Sequence, residues 1–246
     1  KTDVNQVCND DKYFIFQEMI EQCVQLFFRD RQVLDLLKAK PHAPVLCTNA
    51  DEKIIGILVH AFPDIPIISE ESHGDLEVNF PEIFFLVDPL DGTKEFIKRT
   101  GEFTVNIALV VKGSVELGVV FVPETRDLYY RGLDGMSYLE RHANVNEVRG
   151  DIIDIACRPV DLANLIVVQS ASHSTPDTKT YIAQYRPKSS KSAGSSLKFC
   201  LISNGTADLY PRLGPTMEWD TGAAHAVLKG AGGNVYCLDT LEEMNF

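Results

Sequence analysis

Two short apolar segments that run straight into acidic residues constrain this chain more than any other feature. Ile65-Pro66-Ile67-Ile68-Ser69 leads into Glu70-Glu71, and Ile83-Phe84-Phe85-Leu86-Val87 leads into Asp88-Pro89-Leu90-Asp91-Gly92-Thr93. Both segments read as β-strands, so the fold must present carboxylates at strand ends. Proline fixes its own φ and has no N–H, which predicts a sharp turn after Val87 that brings Asp88, Asp91 and the Leu90 carbonyl to one point. An oxygen-rich point of this kind suits Mg2+. Gly92 permits close backbone approach, and a helix beginning near Lys94 would aim the N–H groups of Gly92 and Thr93 at a bound phosphate. An isolated Asp-Pro-x-Asp-Gly is by default a surface turn. Glu70 and Glu71 after the other strand, and Asp220 at a helix start after Met217-Glu218-Trp219, weigh instead for a shared metal site.

The surrounding pattern predicts an α+β N-terminal half (1–150) and an α/β C-terminal half (151–246), with the boundary near residues 145 to 165. Phe14–Leu37 carries apolar residues at helical spacing and Asp51–Ala61 reads as a second helix with Asp51 near its N-cap. Strands are expected at Phe103–Val111, Ser114–Val122 and Leu128–Tyr130, with Lys112-Gly113 turning the first into the second, which predicts a mixed or antiparallel sheet. After Leu165 a strand and helices at Thr178–Gln184, Ser196–Ser203 and Thr221–Lys229 follow, with Gly230 as C-cap.

Composition narrows the function classes. The chain has 23 Lys plus Arg against 35 Asp plus Glu, a formal net charge of -12, which disfavours polymeric nucleic acid and anionic membrane surfaces as partners. An acidic protein that takes a small anionic substrate needs divalent cations or a local Lys/Arg cluster. No apolar run approaches the ~20 residues of a membrane span, leaving only peripheral association open, and no apolar leader precedes the strands, so a cytoplasmic location is expected. The six cysteines show neither a CxxC pair nor zinc spacing and read as reduced structural thiols. Cys23 and Arg29 have the spacing of a thiol phosphatase loop but lie in a helical pattern without glycine. Asn204-Gly205 reads as a helix end rather than a glycosylation site, and Gly230-Ala231-Gly232-Gly233 as a helix end and turn rather than a dinucleotide loop.

Glu70-Glu71, Asp88-Pro89-Leu90-Asp91-Gly92-Thr93 and Trp219-Asp220-Thr221-Gly222-Ala223-Ala224 resemble, in order and spacing, the motifs of the lithium-sensitive, Mg2+-dependent phosphatases that include inositol monophosphatase and fructose-1,6-bisphosphatase. The resemblance implies a layered αβαβα sandwich with the site between its halves. It implies that Glu70, Asp88 and the Leu90 carbonyl hold one Mg2+, that Asp88, Asp91 and Asp220 hold a second, and that Glu71 reaches a third. It also implies that Thr93 and Asp51 orient and deprotonate the attacking water, where Asp51 alone would read as an N-cap. The Lys38–Asp51 segment departs from the family's usual run by lacking an Asp and carrying extra residues, so an altered loop over the metals is expected. A chain stopping at Phe246 is also expected to lack the family's last strand and basic tail.

Lys94-Glu95-Phe96 and Gly101-Glu102-Phe103-Thr104-Val105-Asn106 resemble the 3'(2'),5'-bisphosphate nucleotidase branch of that family, as do Ser172-His173, Ser192–Cys200 and Ala207–Asp220. By resemblance, His173, Ser195, Lys198 and Arg212 contact the adenosine and the retained 5'-phosphate of adenosine 3',5'-bisphosphate, with the 3'-phosphate at the metals beside Gly92 and Thr93. Read without the family, Lys198 is a solvated helix residue and His173 a structural one. The expected activity is hydrolysis to AMP and phosphate, recycling a by-product of sulfate assimilation, by a monomer or homodimer. A phosphatase of inositol or sugar phosphates is the near alternative. A catalytically impaired protein that only binds the bisphosphate nucleotide is the alternative of another class.

Overall fold

The computed structural model of the chain describes residues 43–71, 80–141, 151–172 and 174–246. The helix expected over Phe14–Leu37, with Cys23 and Arg29, lies outside the described residues. Helix α1 (Ala43–Ala61) is followed by β1 (Ile67–Ser69), β2 (Ile83–Asp91), the short helix α2 (Thr93–Lys98) and strands β3 (Thr104–Val111), β4 (Ser114–Val122), β5 (Asp127–Arg131), β6 (Ser137–Arg141) and β7 (Asp151–Ile155). The seven strands form one sheet in chain order. β1 and β2 are parallel and every later neighbour is antiparallel, a mixed sheet. Lys112 and Gly113, both at positive φ, make the turn between β3 and β4.

The uninterrupted apolar run of β2 has a physical reason, since both of its faces are buried. Phe85 and Val87 join Ile54 and Leu58 of α1, and Phe62 just after it, on one side, while Phe84 and Leu86 join a cluster with Trp219, Ala223, Ala224 and Val227 on the other. Burying each such Phe or Leu contributes about 1.5–3 kcal/mol. The second cluster is built by α5 (Glu218–Gly230), whose small residues bring it close to the sheet. At Gly118 of β4 a Cβ would lie 2.3 Å from the Ala223 carbonyl oxygen, so helix and strand meet backbone to backbone.

Between β7 and α5 a short 3-10 turn (Leu162–Asn164) precedes β8 (Ile166–Ser170), α3 (Pro176–Gln184), β9 (Ser189–Ala193) and α4 (Leu197–Ser203). Thr175 caps α3 by accepting from the Thr178 N–H at 3.2 Å, ahead of Pro176 at the first helical position. β8 and β9 pair in parallel as a second, two-stranded sheet. Val167 of β8 packs with Ile182 of α3, and Val168 with Leu201 and Ile202 of α4. The layers therefore run α1, seven-stranded sheet, α5 with α4, two-stranded sheet, α3, which is the expected αβαβα sandwich.

Several expectations about local structure need correction. β2 does not end at Val87 in a turn but continues through Asp91. Asp88 pairs with Asn106 and Asp91 with Thr104, so three steps along β2 match two along β3 and the strand carries a bulge where Pro89 sits. Asp51 is not an N-cap: α1 begins at Ala43, which puts Asp51 in the middle of a helix and makes the second part of the Lys38–Asp51 segment helical. β1 starts at Ile67 rather than Ile65, and Gly230 is the last residue of α5 with Ala231 as its C-cap. Asn204 does cap α4, with Gly205 following at φ +72°. Strands β6, β7 and β9 had no counterpart in the sequence reading.

Candidate active site

Because β1 and β2 are parallel and adjacent, their C-terminal ends lie at one edge of the sheet, where Glu70 and Asp88 come together. The Glu70 N–H donates to the Val87 carbonyl at 3.2 Å. The bulge then turns Asp91 to the same side, and the N-terminus of α5 supplies Asp220. One carboxylate oxygen from each of Asp88, Asp91 and Asp220 lies within 4.8 Å of the others. One Asp220 oxygen, Oδ2, accepts from the Thr216 hydroxyl at 2.9 Å and the Met217 N–H at 3.1 Å, fastening the start of α5.

Crowding of like charges shows in the proton affinities. Burial, followed by Asp91, Glu70 and Asp220, holds the Asp88 carboxyl well above the usual range. Burial and then Asp220 push Asp91 up to about 7, against the pull of Lys198, the Ser196 N–H and the Asn106 amide. Glu70, at the exposed rim, is raised by desolvation and by Asp220, Glu71 and Asp51. Asp88 is 1% exposed; its Oδ1 accepts the Leu90 N–H at 2.9 Å, and its Oδ2 has no hydrogen-bond partner among the described residues. A buried carboxylate oxygen left unspent beside two further carboxylates fits a divalent cation, which would relieve all three charges.

Asp51 reaches the site from α1. It is 5% exposed, accepts a hydrogen bond from the Ser69 hydroxyl at the end of β1, and is held above its ordinary pKa by burial. The Thr93 hydroxyl donates to the Leu90 carbonyl oxygen at 3.5 Å rather than to Asp51. Gly92 caps α2 in the left-handed region, and a Cβ there would lie 3.2 Å from both the Glu102 carbonyl oxygen and the Ser195 Cβ. The second of these contacts brings the turn after β9 against the start of α2. Glu71 is exposed beside Glu70.

The turn from β9 into α4 lies directly against Asp91. Ser195, at φ +47°, and Ser196 are buried, and the Ser196 N–H donates to Asp91 Oδ2 at 2.6 Å. Lys198 is not the solvated residue that its helix position alone suggests. It is 5% exposed, its ammonium donates to the Ser195 carbonyl oxygen, and it sits 5.2 Å from the Tyr210 ring centroid. Burial lowers its pKa, and Asp91 acts in the opposite direction. Arg212 donates to the carbonyls of Gly214 at 3.3 Å and Pro215 at 2.7 Å, which holds its guanidinium beside Lys198 and Tyr210. His173 lies outside the described residues. The sequence reading missed Tyr210, and also Thr104 and Asn106. Their signal was available, since Thr104 and Asn106 are polar positions in an otherwise apolar strand, and such groups when buried need partners.

Known proteins resemble this chain over most of its length. Over 206 residues, 82% of this chain and 80% of that protein, the sequence is 42% identical to the 3'(2'),5'-bisphosphate nucleotidase CysQ of Escherichia coli strain K12. It is 37% identical over 219 residues to the protein of that name from Buchnera aphidicola, covering 87% of this chain and 78% of the relative. The solved structure of CysQ from Bacteroides thetaiotaomicron, described as a bacterial member of the inositol monophosphatase family, superposes with a TM-score of 0.77 at 33% identity over 94% of this chain and 92% of that one. With residues 16–243 matching the inositol monophosphatase family as well, the chain belongs to that family.

Proposed function

We propose that this protein is a Mg2+-dependent phosphatase that hydrolyses adenosine 3',5'-bisphosphate to AMP and phosphate. The observation that carries the reading is the meeting of three carboxylates, one with an unpartnered buried oxygen, against a turn that carries a buried lysine. The nucleotide as substrate is supported by the CysQ relatives and by the pairing of Lys198 with Arg212 beside Tyr210, a cationic pocket in an otherwise acidic protein.

Glu70, Asp88, the Leu90 carbonyl, Asp91 and Asp220 would hold two Mg2+ ions, with Glu71 available to a third. When bound, Mg2+ neutralises the ester phosphate and makes water a stronger nucleophile. The chain's own groups do the rest. Gly92 and Thr93 offer backbone N–H groups to the phosphate at the start of α2. Asp51, raised by burial and steadied by Ser69, is the group that takes a proton from the attacking water, and the Thr93 hydroxyl orients that water. Lys198 and Arg212 grip the 5'-phosphate that is retained, and Ser195 and His173 border the nucleoside.

The test is a comparison of kcat/KM for adenosine 3',5'-bisphosphate and inositol 1-phosphate in the wild type and in Lys198→Ala and Arg212→Ala. The variants should lose preference for the nucleotide by about 30-fold or more, the worth of a charge-assisted phosphate contact. An unchanged preference would discard the pocket and leave an inositol or sugar phosphatase. Tight nucleotide binding without turnover in the wild type would favour a binding protein.

A further inference from the structure

Three of the most completely buried polar residues sit together behind the carboxylate cluster. Thr104 is fully buried, and Asn106 and Ser196 are each 1% exposed. Ser196 Oγ lies 2.7 Å from Asn106 Oδ1 and 2.8 Å from Thr104 Oγ1. A hydroxyl has one proton, so with Ser196 donating to the Asn106 carbonyl oxygen, the Thr104 hydroxyl donates to Ser196. The Thr104 hydroxyl is thereby turned away from Asp91 Oδ2, which is 3.5 Å off and already takes the Ser196 N–H at 2.6 Å. The Asn106 amide lies against the same carboxylate, and its Nδ2 makes no well-formed hydrogen bond among the described residues.

Topology explains why these groups meet. Thr104 and Asn106 pair with Asp91 and Asp88 across the bulge of β2, so they bracket the segment that carries both carboxylates. Ser196 arrives from the other half, in the same turn as Ser195 and one residue from the start of a helix that holds Lys198. Its backbone takes up one oxygen of Asp91, which leaves Oδ1 for a cation. Its hydroxyl is anchored in turn by two residues of β3.

We infer that Ser196, seated on Thr104 and Asn106, is a positioning residue that aims Asp91 at the cation and ties that ligand to the turn bearing Ser195 and Lys198. The inference rests on the reading of Asp91 as a Mg2+ ligand. Groups behind a metal ligand set its orientation, and removing them weakens the metal by about 10- to 100-fold. Ser196→Ala keeps the backbone donor but removes the anchor of the turn. Thr104→Val removes the other hydroxyl at nearly constant volume, whereas Thr104→Ser keeps it.

The experiment is a Mg2+ titration of the melting temperature without substrate, run on the wild type, Ser196→Ala, Thr104→Val, Thr104→Ser, Asp91→Asn and Leu139→Ala. Leu139 is buried on β6 among apolar residues and reports general destabilisation. The expected result is a half-saturating Mg2+ concentration about tenfold higher in Ser196→Ala and Thr104→Val, a value near wild type in Thr104→Ser, and an unchanged value in Leu139→Ala despite its lower melting temperature. KM for the nucleotide should rise in Ser196→Ala as well, because the same turn carries Lys198. Wild-type half-saturation in Ser196→Ala and Thr104→Val, with the Mg2+ response lost in Asp91→Asn, would overturn the positioning role and leave the metal site standing. An equal shift in Leu139→Ala would reduce the effect to stability. A wild type that Mg2+ does not stabilise would remove the metal reading and the positioning role with it.

Discussion

Replacing Asp91 by Asn should stabilise the metal-free protein while abolishing its turnover. In the folded chain Asp91 has a pKa of about 7 against an ordinary 3.8. At about 1.36 kcal/mol per unit, keeping it ionised in the fold costs on the order of 4 kcal/mol at pH 8 without a cation. The sign follows from the direction of the shift: the folded state holds this proton more tightly, so its contribution is complete below about pH 4 and is lost as pH rises through 7. Asn has no charge to desolvate and still offers an oxygen to the Ser196 N–H. With relaxation and water entry recovering about half of the penalty, roughly 2 kcal/mol remains, which is about 4–8 °C in melting temperature for a chain of this size. Thermal melts in EDTA by circular dichroism should show Asp91→Asn above the wild type at pH 8 and the gain vanishing at pH 4. In saturating Mg2+ the order should reverse, and phosphate release should be lost. An Asp91→Asn protein that melts below the wild type in EDTA at pH 8 would refute the electrostatic reasoning, because it would mean that the carboxylate is held for the fold and not against it.

Asp88→Asn should likewise abolish Mg2+-dependent phosphate release with the fold retained by circular dichroism, and normal turnover would remove Asp88 from the metal site. Gly118→Val should lower stability by at least ~3 kcal/mol in a denaturant melt, since its Cβ would lie 2.3 Å from the Ala223 carbonyl oxygen and backbone cannot yield as a side chain can. His225 is fully buried, and burial depresses its pKa below the ordinary 6.5, so its contribution is present above pH 6.5 and is lost as pH falls through the folded value. Below pH 6, His225→Gln should therefore lose less stability than the wild type in parallel melts.

The carboxylates were legible in the sequence because their geometry is local. Asp88, Asp91 and Glu70 follow apolar segments that had to be strands, and Asp220 opens a helix whose small residues mark a close approach to the sheet. What the sequence hid depends on partners far along the chain. The bulge that lets Asp88 and Asp91 face one way is set by the register of β3, which no reading of Asp-Pro-Leu-Asp contains. Asp51 read as a cap because helix starts favour Asp, yet α1 extends from Ala43 and uses it as a buried side chain against Ser69. β9 is Ser-Ser-Lys-Ser-Ala, with no apolar pattern, and is a strand only because β8 lies beside it. Lys198 reads as solvated by type and is buried by the Tyr210 ring and the turn at Ser195.

The central claim, a metal-dependent phosphatase selective for a bisphosphate nucleotide, is tested most directly by phosphate release from adenosine 3',5'-bisphosphate and inositol 1-phosphate side by side, in Mg2+ and in EDTA. The expected result is fast release from the nucleotide in Mg2+, with AMP as the product, little from inositol phosphate, and none from either in EDTA. Release that persists in EDTA would contradict the metal site, and release mainly from inositol phosphate would contradict the Lys198 and Arg212 pocket.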